Sequence, residues 1–274
     1  MTEKTVELRI PLIFIRTKRG LGFIERLSRI KVIRSLNWLW VLVVPLLMIG
    51  GLYLIIYQIF GFFSDSVLLE QVKKAGVQSS LLIPGLNPFL PIFSGWIAII
   101  IAIAVHELSH GVAARSVGVG VRSMGLMLFL GFPIGAFCEI DELSLIEKGF
   151  KDQIKVSSAG IVSNFVVALL AIPGLLLNRA FLGANEAVFS LFFVIILVNL
   201  SLAIFNALPI GSLDGGRIFN TFALILVLVL DHVIHNGKSD IVNVYRTKDI
   251  ITGVASLVTI FLVVSLIAIP FIIL

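Results

Sequence analysis

The sequence is poor in charged residues and in cysteine. Only 14% of its 274 residues are Asp, Glu, Lys or Arg, whereas 58% are apolar. Soluble proteins contain about 25% charged residues and do not expose this much apolar surface. A soluble globular fold is therefore excluded, and the chain is expected to lie in a membrane. Because Cys138 is the single cysteine, the chain has no intramolecular disulfide, and any metal must be bound by His, Asp or Glu.

Long apolar runs, in contrast, are abundant. A helix crosses the hydrocarbon core of a bilayer with roughly 20 apolar residues. Six windows qualify, at residues 36–63, 91–117, 156–178, 187–208, 218–234 and 250–274. The fifth is the weakest, because it is short and ends among Asp231, His232 and His235, so a tilted or partial span is an alternative there. We predict an all-α polytopic membrane protein with about six transmembrane helices.

Positive charge is concentrated ahead of the first span. Residues 1–35 contain nine Lys or Arg and three Glu. Basic segments beside transmembrane helices favour the cytoplasm, so we interpret residues 1–35 as a cytoplasmic or interfacial arm and expect no nucleic-acid partner. The second and fourth spans then run inward. Residues 36–274 are predicted to form one multi-pass domain, which in a prokaryote would lie in the cell membrane.

The segment between the second and third spans has a different pattern. Residues 118–139 are rich in glycine and alternate bulky side chains such as Met124, Leu126 and Leu128. This pattern predicts short strands or a hairpin rather than a helix. Extended backbone at membrane depth must be buried in protein or line a wet cavity, so the segment is a candidate wall of a functional site.

One motif in the second span has the spacing of a metal site. His106 and His110 are four residues apart, so both lie on one face of a helix, separated by about 6 Å along its axis. Each imidazole can then offer a nitrogen to the same ion. Glu107 is placed to accept a proton from metal-activated water, as in zincins. Two of the four histidines fall in this pattern, which disfavours the alternative of two structural histidines.

A catalytic zinc site usually has three protein ligands, and the end of the fourth span supplies a candidate for the third. Asp214 follows Pro209 in a glycine-rich segment, where irregular backbone is expected to carry the carboxylate inward. Taken alone, a turn with a capping Asp is the simpler interpretation. The predicted topology favours a ligand, because it brings Asp214 to the same side as His110. Asp214 and Glu107 would also balance the charge of a zinc ion within the membrane.

Two asparagines are candidate catalytic residues. Asn206, at the end of the fourth span, and Asn164, in the third, can donate to an oxyanion or to a substrate backbone without altering the charge balance. The alternative for each is a packing hydrogen bond between helices.

These motifs resemble the site-2 protease family of intramembrane zinc metalloproteases over about residues 83–217. The residues that match the two family motifs are His106, Glu107 and His110, then Asn206, Pro209, Leu213, Asp214 and Gly215. The likeness is greater to the branch that includes the eukaryotic enzymes, and we expect neither a PDZ nor a CBS domain. The resemblance implies zinc held by His106, His110 and Asp214, with Glu107 as base. It also implies cleavage of transmembrane segments of other proteins, near the cytoplasmic face of the lipid bilayer.

Two other functions stay open at this point. A transporter or channel could use the same intramembrane His, Glu and Asp side chains to pass metal ions or protons, although it does not account for the zincin spacing. A peptidase from another membrane family would commonly use a Glu as third ligand, and the downstream glutamates all lie in predicted loops.

Overall fold

The computed structural model describes residues 5–31, 39–80, 83–129, 132–181, 183–235 and 240–273. Helices dominate these residues, and a small sheet lies at one end of the helical bundle. The strands are β1 (Thr5–Arg9), β2 (Leu12–Thr17), β3 (Val121–Phe129) and β4 (Phe132–Ile140). The helices are α1 (Leu21–Ser28), α2 (Trp40–Ser64), α3 (Ser66–Ala75), α4 (Ile92–Ser116), α5 (Glu142–Ile146), α6 (Phe150–Phe181), α7 (Glu186–Ala207), α8 (Asp214–His235) and α9 (Ile241–Ile273).

Six of the described helices, α2, α4, α6, α7, α8 and α9, are long and apolar enough to cross a membrane. This confirms the predicted polytopic helical protein. The fifth predicted window, residues 218–234, was the weakest. It belongs to a helix that is long enough to cross a membrane and has a mean hydropathy of 1.8 over Asp214–Ile234. The helices α6 and α9 begin several residues before the predicted windows, because a helix continues through polar residues such as Lys151 and Lys248 that end an apolar run.

The strands form one antiparallel sheet in the order β1, β2, β3, β4. Strands β3 and β4 confirm the hairpin predicted between the second and third spans. Strands β1 and β2 come from the N-terminal arm, for which the sequence analysis predicted no strands. Strand β2 pairs with β3 from Leu12 opposite Phe129 to Thr17 opposite Met124. The described part of the arm is therefore packed onto the rest of the chain, while a domain boundary at residue 36 stays a prediction.

The bundle is organised around α6, which packs against α2, α4, α7 and α8. Its first half presents small buried side chains to its neighbours, including Ser157, Ser158, Ala159 and Gly160. Small residues allow helix backbones in a membrane to approach closely. The end of α4 is covered from the other side by α1, where Ile24 is fully buried against Val112 and Ala113. Helix α4 is thus packed against α1, α6, α7 and the sheet.

Candidate active site

Three side chains meet where the end of α4 faces the start of α8. The Nε2 atoms of His106 and His110 lie 3.2 Å apart. The Asp214 Oδ2 atom lies 3.1 Å from the His106 Nε2 atom and 3.0 Å from the His110 Nε2 atom. The three potential ligand atoms thus form a nearly equilateral triangle, and both histidines are buried.

A tight chain reversal carries Asp214 into this position. Helix α7 ends at Ala207, and the following Leu208 and Pro209 break the helical path. A side chain at Gly215 would overlap the backbone of Ala207, so the close return of the chain requires glycine there. The prediction that irregular backbone carries Asp214 itself was wrong in detail. The irregular stretch covers residues 208–213, and Asp214 is the first residue of α8.

Hydrogen bonds fix which nitrogen of each imidazole faces the triangle. The His110 Nδ1 atom lies 2.8 Å from the Val156 carbonyl oxygen, which can only accept a hydrogen bond. The His106 Nδ1 atom lies 2.7 Å from the Asn164 Oδ1 atom, also an acceptor. We therefore assign a proton to Nδ1 of both rings. Both Nε2 lone pairs then point toward the Asp214 carboxylate, which is the arrangement typical of metal-binding histidines.

This donor set fits a metal ion. The Nε2 atoms of both histidines and the Asp214 carboxylate oxygen are all hydrogen-bond acceptors. Three buried acceptors that face one another are unfavourable unless a cation or a shared proton lies between them. In a tetrahedral zinc site with bonds of about 2.0–2.1 Å, neighbouring ligand atoms lie roughly 3.3–3.4 Å apart. The observed separations of 3.0–3.2 Å approach that spacing. Imidazole ligands suit zinc better than magnesium or calcium, which prefer all-oxygen sites.

Glu107 lies beside the triangle and is held by the sheet. Its Oε2 atom accepts a hydrogen bond of 3.0 Å from the backbone N–H of Cys138 in β4. Glu107 lines the same cavity as the triangle, with a volume of about 280 Å³. Other polar residues that line this cavity are Glu142, Ser157, Asn206, Ser212 and Arg217. A carboxylate next to the triangle but outside it is available to accept a proton.

Cys138 lines the cavity as well, but its chemistry sets it apart from the triangle. Burial, reinforced by the neighbouring Glu107 carboxylate, raises the pKa of the Cys138 thiol to about 12. A thiol binds metal as the thiolate. The ligand atoms of His106, His110 and Asp214 lie within 4.8 Å of one another, and the Cys138 sulfur does not belong to this group.

The two predicted asparagines have different surroundings. Asn206 lines the cavity, and its amide donates a hydrogen bond of 3.0 Å to the Leu202 carbonyl oxygen. Asn164 is fully buried, and its Oδ1 atom contacts His106. Its amide nitrogen donates to the Ala102 carbonyl oxygen at 3.0 Å. The geometry therefore favours a positioning role for Asn164 over the oxyanion-binding role that the sequence suggested.

The sequence analysis did not name as site residues two residues that adjoin the site. Gly160 of α6 faces the histidine rings, and Asn199 of α7 contacts Asn164. The signal for Asn199 was its amide within an otherwise apolar span, where a polar residue marks a functional candidate. The requirement for glycine at position 160 depends on packing between α4 and α6, which no local pattern reveals.

Comparisons with known proteins are consistent with this geometry. The sequence model of Peptidase family M50 matches residues 94–185 and 181–227, together about half of the chain. An uncharacterised protein of Methanocaldococcus jannaschii is 35% identical over 58% of this chain and 41% of its own length. A zinc metalloprotease of the same organism is 27% identical over 45% of this chain and 32% of its own length.

A protein of Mycobacterium tuberculosis that is named Rip3, and provisionally described as a zinc metalloprotease, is 33% identical over 47% of this chain and 30% of its own length. The chain thus spans less than half the length of these relatives. No solved structure matches the chain with statistical significance.

Gly160 provides a test of the packing around the triangle. A Cβ atom at this position would lie 2.5 Å from the His106 Nε2 atom and 2.6 Å from the His110 Nε2 atom. Both rings are held by hydrogen bonds and cannot move away freely. We expect Gly160→Ala to weaken metal binding about tenfold or more, measured by competition with a chelator in detergent solution.

Gly253→Ala in α9 is the matched control, since a Cβ atom there meets no other atom within 4 Å. This substitution should leave metal binding unchanged. Wild-type affinity in the Gly160→Ala variant would contradict the close approach of α6 to the two rings.

Proposed function

Since the chain belongs to Peptidase family M50, we propose that it is an intramembrane zinc metalloprotease that cleaves transmembrane helices of other membrane proteins. The observation that carries this proposal is the triangle of His106, His110 and Asp214 with Glu107 beside it in one cavity. A metal-transporting protein would not require a carboxylate held beside the ligands by a backbone N–H.

In this proposal His106, His110 and Asp214 hold the zinc ion. When bound, zinc would supply Lewis acidity, which lowers the pKa of water so that it loses a proton and becomes nucleophilic near neutral pH. Glu107 accepts the proton of the attacking water and returns it to the leaving amine. The Cys138 N–H keeps the Glu107 carboxylate turned toward the cavity. Asn206 can swing its amide from the Leu202 carbonyl oxygen toward the oxyanion that forms at the cleaved bond.

The proposed site lies toward the cytoplasmic ends of the helices. Strand β3 directly follows α4, and β2 of the basic arm pairs with β3. The arm and the site-bearing end of α4 are therefore at the same end of the bundle. If the basic arm is cytoplasmic, as its charge favours, the N-terminus and the active site share the cytoplasmic side.

Strand β4 supports a route for presenting the substrate. It is one of the two outer strands of the described sheet, and the Cys138 N–H on its outward edge donates to Glu107. Backbone groups of successive strand residues alternate in direction, so the Ala136 N–H faces the same side as the Cys138 N–H. A substrate helix must unwind before its peptide bonds become accessible. We propose that the unwound segment adds to the edge of β4 and is thereby aligned beside Glu107.

The proposed roles of Glu107 and Asp214 predict that substitution of the first strongly reduces hydrolysis and that substitution of the second abolishes zinc binding. Glu107→Gln removes a base but no ligand, so it should retain about one zinc per chain and lose hydrolysis by roughly 10²–10⁴-fold. Asp214→Ala removes a ligand and should lose the zinc. Metal analysis together with cleavage of a membrane-embedded substrate in liposomes distinguishes the two effects.

Glu147→Gln is the control carboxylate, because Glu147 is exposed in the turn after α5. It should change neither zinc content nor cleavage. Loss of zinc from Glu107→Gln would show that Glu107 is a ligand. Purified wild-type protein that cleaves no membrane substrate but moves zinc across liposomes would contradict the protease proposal and favour a transporter.

Strand addition predicts a position-specific effect in β4. Ala136→Pro removes the N–H that is proposed to pair with substrate, and an edge strand tolerates proline on its outward side. We expect zinc content to be retained and cleavage of a transmembrane substrate to fall at least about tenfold. Ala136→Ser keeps the N–H group and should cleave normally. Unchanged cleavage by Ala136→Pro would count against strand addition.

A further inference from the structure

A second buried asparagine extends the contacts of His106 into a third helix. Asn199 of α7 is fully buried, as is Asn164. The Asn164 amide nitrogen donates a hydrogen bond of 2.9 Å to the Asn199 Oδ1 atom. The amide nitrogen of Asn199 donates a hydrogen bond of 2.9 Å to the Ile195 carbonyl oxygen, one turn earlier in α7. Hydrogen bonds thus run from α7 through Asn164 of α6 to the imidazole of His106 in α4.

Two backbone carbonyl oxygens set the direction of this chain of hydrogen bonds. A carbonyl oxygen only accepts, so the Ile195 carbonyl oxygen requires Asn199 to turn its NH₂ group toward it and its Oδ1 atom toward Asn164. The Ala102 carbonyl oxygen likewise requires the NH₂ group of Asn164. The remaining Asn164 oxygen can then only face His106. Each amide has the orientation that its neighbour requires.

The orientation of Asn164 determines whether the His106 Nε2 atom, a proposed ligand atom, has a free lone pair. Because the Asn164 Oδ1 atom accepts a hydrogen bond from His106, the ring carries its proton on Nδ1 and directs the Nε2 lone pair toward His110 and Asp214. If Asn164 turned over, its NH₂ group would face Nδ1. The ring would then move its proton to Nε2 and lose the lone pair that binds a metal.

We propose that Asn199 is a positioning residue for the metal site, which acts through Asn164 to hold His106 in its metal-binding tautomer. This inference rests on the proposed function, because it takes the triangle to be the zinc site. Asn199 supplies the second acceptor for the Asn164 NH₂ group. Without it, one buried N–H group of Asn164 has no acceptor, and only the Ala102 carbonyl oxygen still favours the orientation shown here over the reversed one.

The experiment measures the zinc affinity of purified full-length protein by competition with a chelator. Asn199→Leu replaces the amide with an apolar group of similar size. We expect zinc affinity to fall about tenfold. This is the lower end of the loss that follows when a residue hydrogen-bonded directly to a metal ligand is substituted. Cobalt bound in place of zinc should show a changed visible absorption spectrum, because the orientation of the His106 ligand is altered. Asn199→Ala serves as the second variant if Asn199→Leu does not fold.

Two further variants separate positioning from a general loss of stability. Asn178→Leu is the matched control. Asn178 is an equally buried amide of α6, but it bonds to the Asn185 carbonyl oxygen at the far end of the bundle. It should not change zinc affinity. Asn199→Asp is the conservative variant, because a protonated carboxyl group offers the same acceptor to Asn164 and the same donor to Ile195. It should restore affinity to within about threefold of wild type.

A double-mutant cycle tests the path through Asn164. If Asn199 acts only through that residue, Asn199→Leu should change zinc affinity little in the Asn164→Ala background. The inference is overturned if Asn199→Leu and Asn199→Ala bind zinc like wild type, or if Asn178→Leu weakens binding equally. A wild-type protein that binds no zinc would instead overturn the proposed function itself.

Discussion

The structure depends on a balance of charge among the polar side chains that are buried between its helices. A carboxylate is costly among transmembrane helices unless a cation or hydrogen-bond donors accompany it. Asp214 meets two imidazole nitrogens, and Glu107 meets a backbone N–H. With neutral histidines, two carboxylates match the charge of one zinc ion. In the proposed zinc site, the same balance would leave Glu107 available as the base.

Several segments around the centre carry features that bring its polar groups together. Helix α4 presents both histidines from one face, and α6 has Gly160 where the two imidazole rings lie against it. The reversal between α7 and α8 is closed by Gly215 so that Asp214 starts a helix against the rings. Strand β4 is an outer strand of the described sheet, and its Cys138 supplies the N–H group that orients Glu107. The site is therefore assembled from four segments that are distant in sequence.

How much of the fold and the site the sequence could predict depends on how far apart in sequence the interacting residues lie. The spacing of His106 and His110 is a local property of a helix, and the six apolar windows need only composition, so both are evident in the sequence. The meeting of Asp214 with the histidines follows from no local spacing, and it could be predicted only through membrane topology or through the family resemblance. Strand β2 was missed because its partner β3 lies over a hundred residues away, and β1 in turn pairs with β2. Asn199 belongs to no motif, and its partner could be identified only from the packing of α6 against α7.

The most direct test of the metal centre is X-ray absorption spectroscopy of the purified protein loaded with one equivalent of zinc. Two imidazoles and one carboxylate predict only nitrogen and oxygen neighbours at about 2.0–2.1 Å, with the multiple scattering of two histidine rings. Cys138 lines the same cavity, so the competing arrangement is well defined. A sulfur neighbour at about 2.3 Å, or scattering from a single imidazole, would contradict a centre formed by His106, His110 and Asp214.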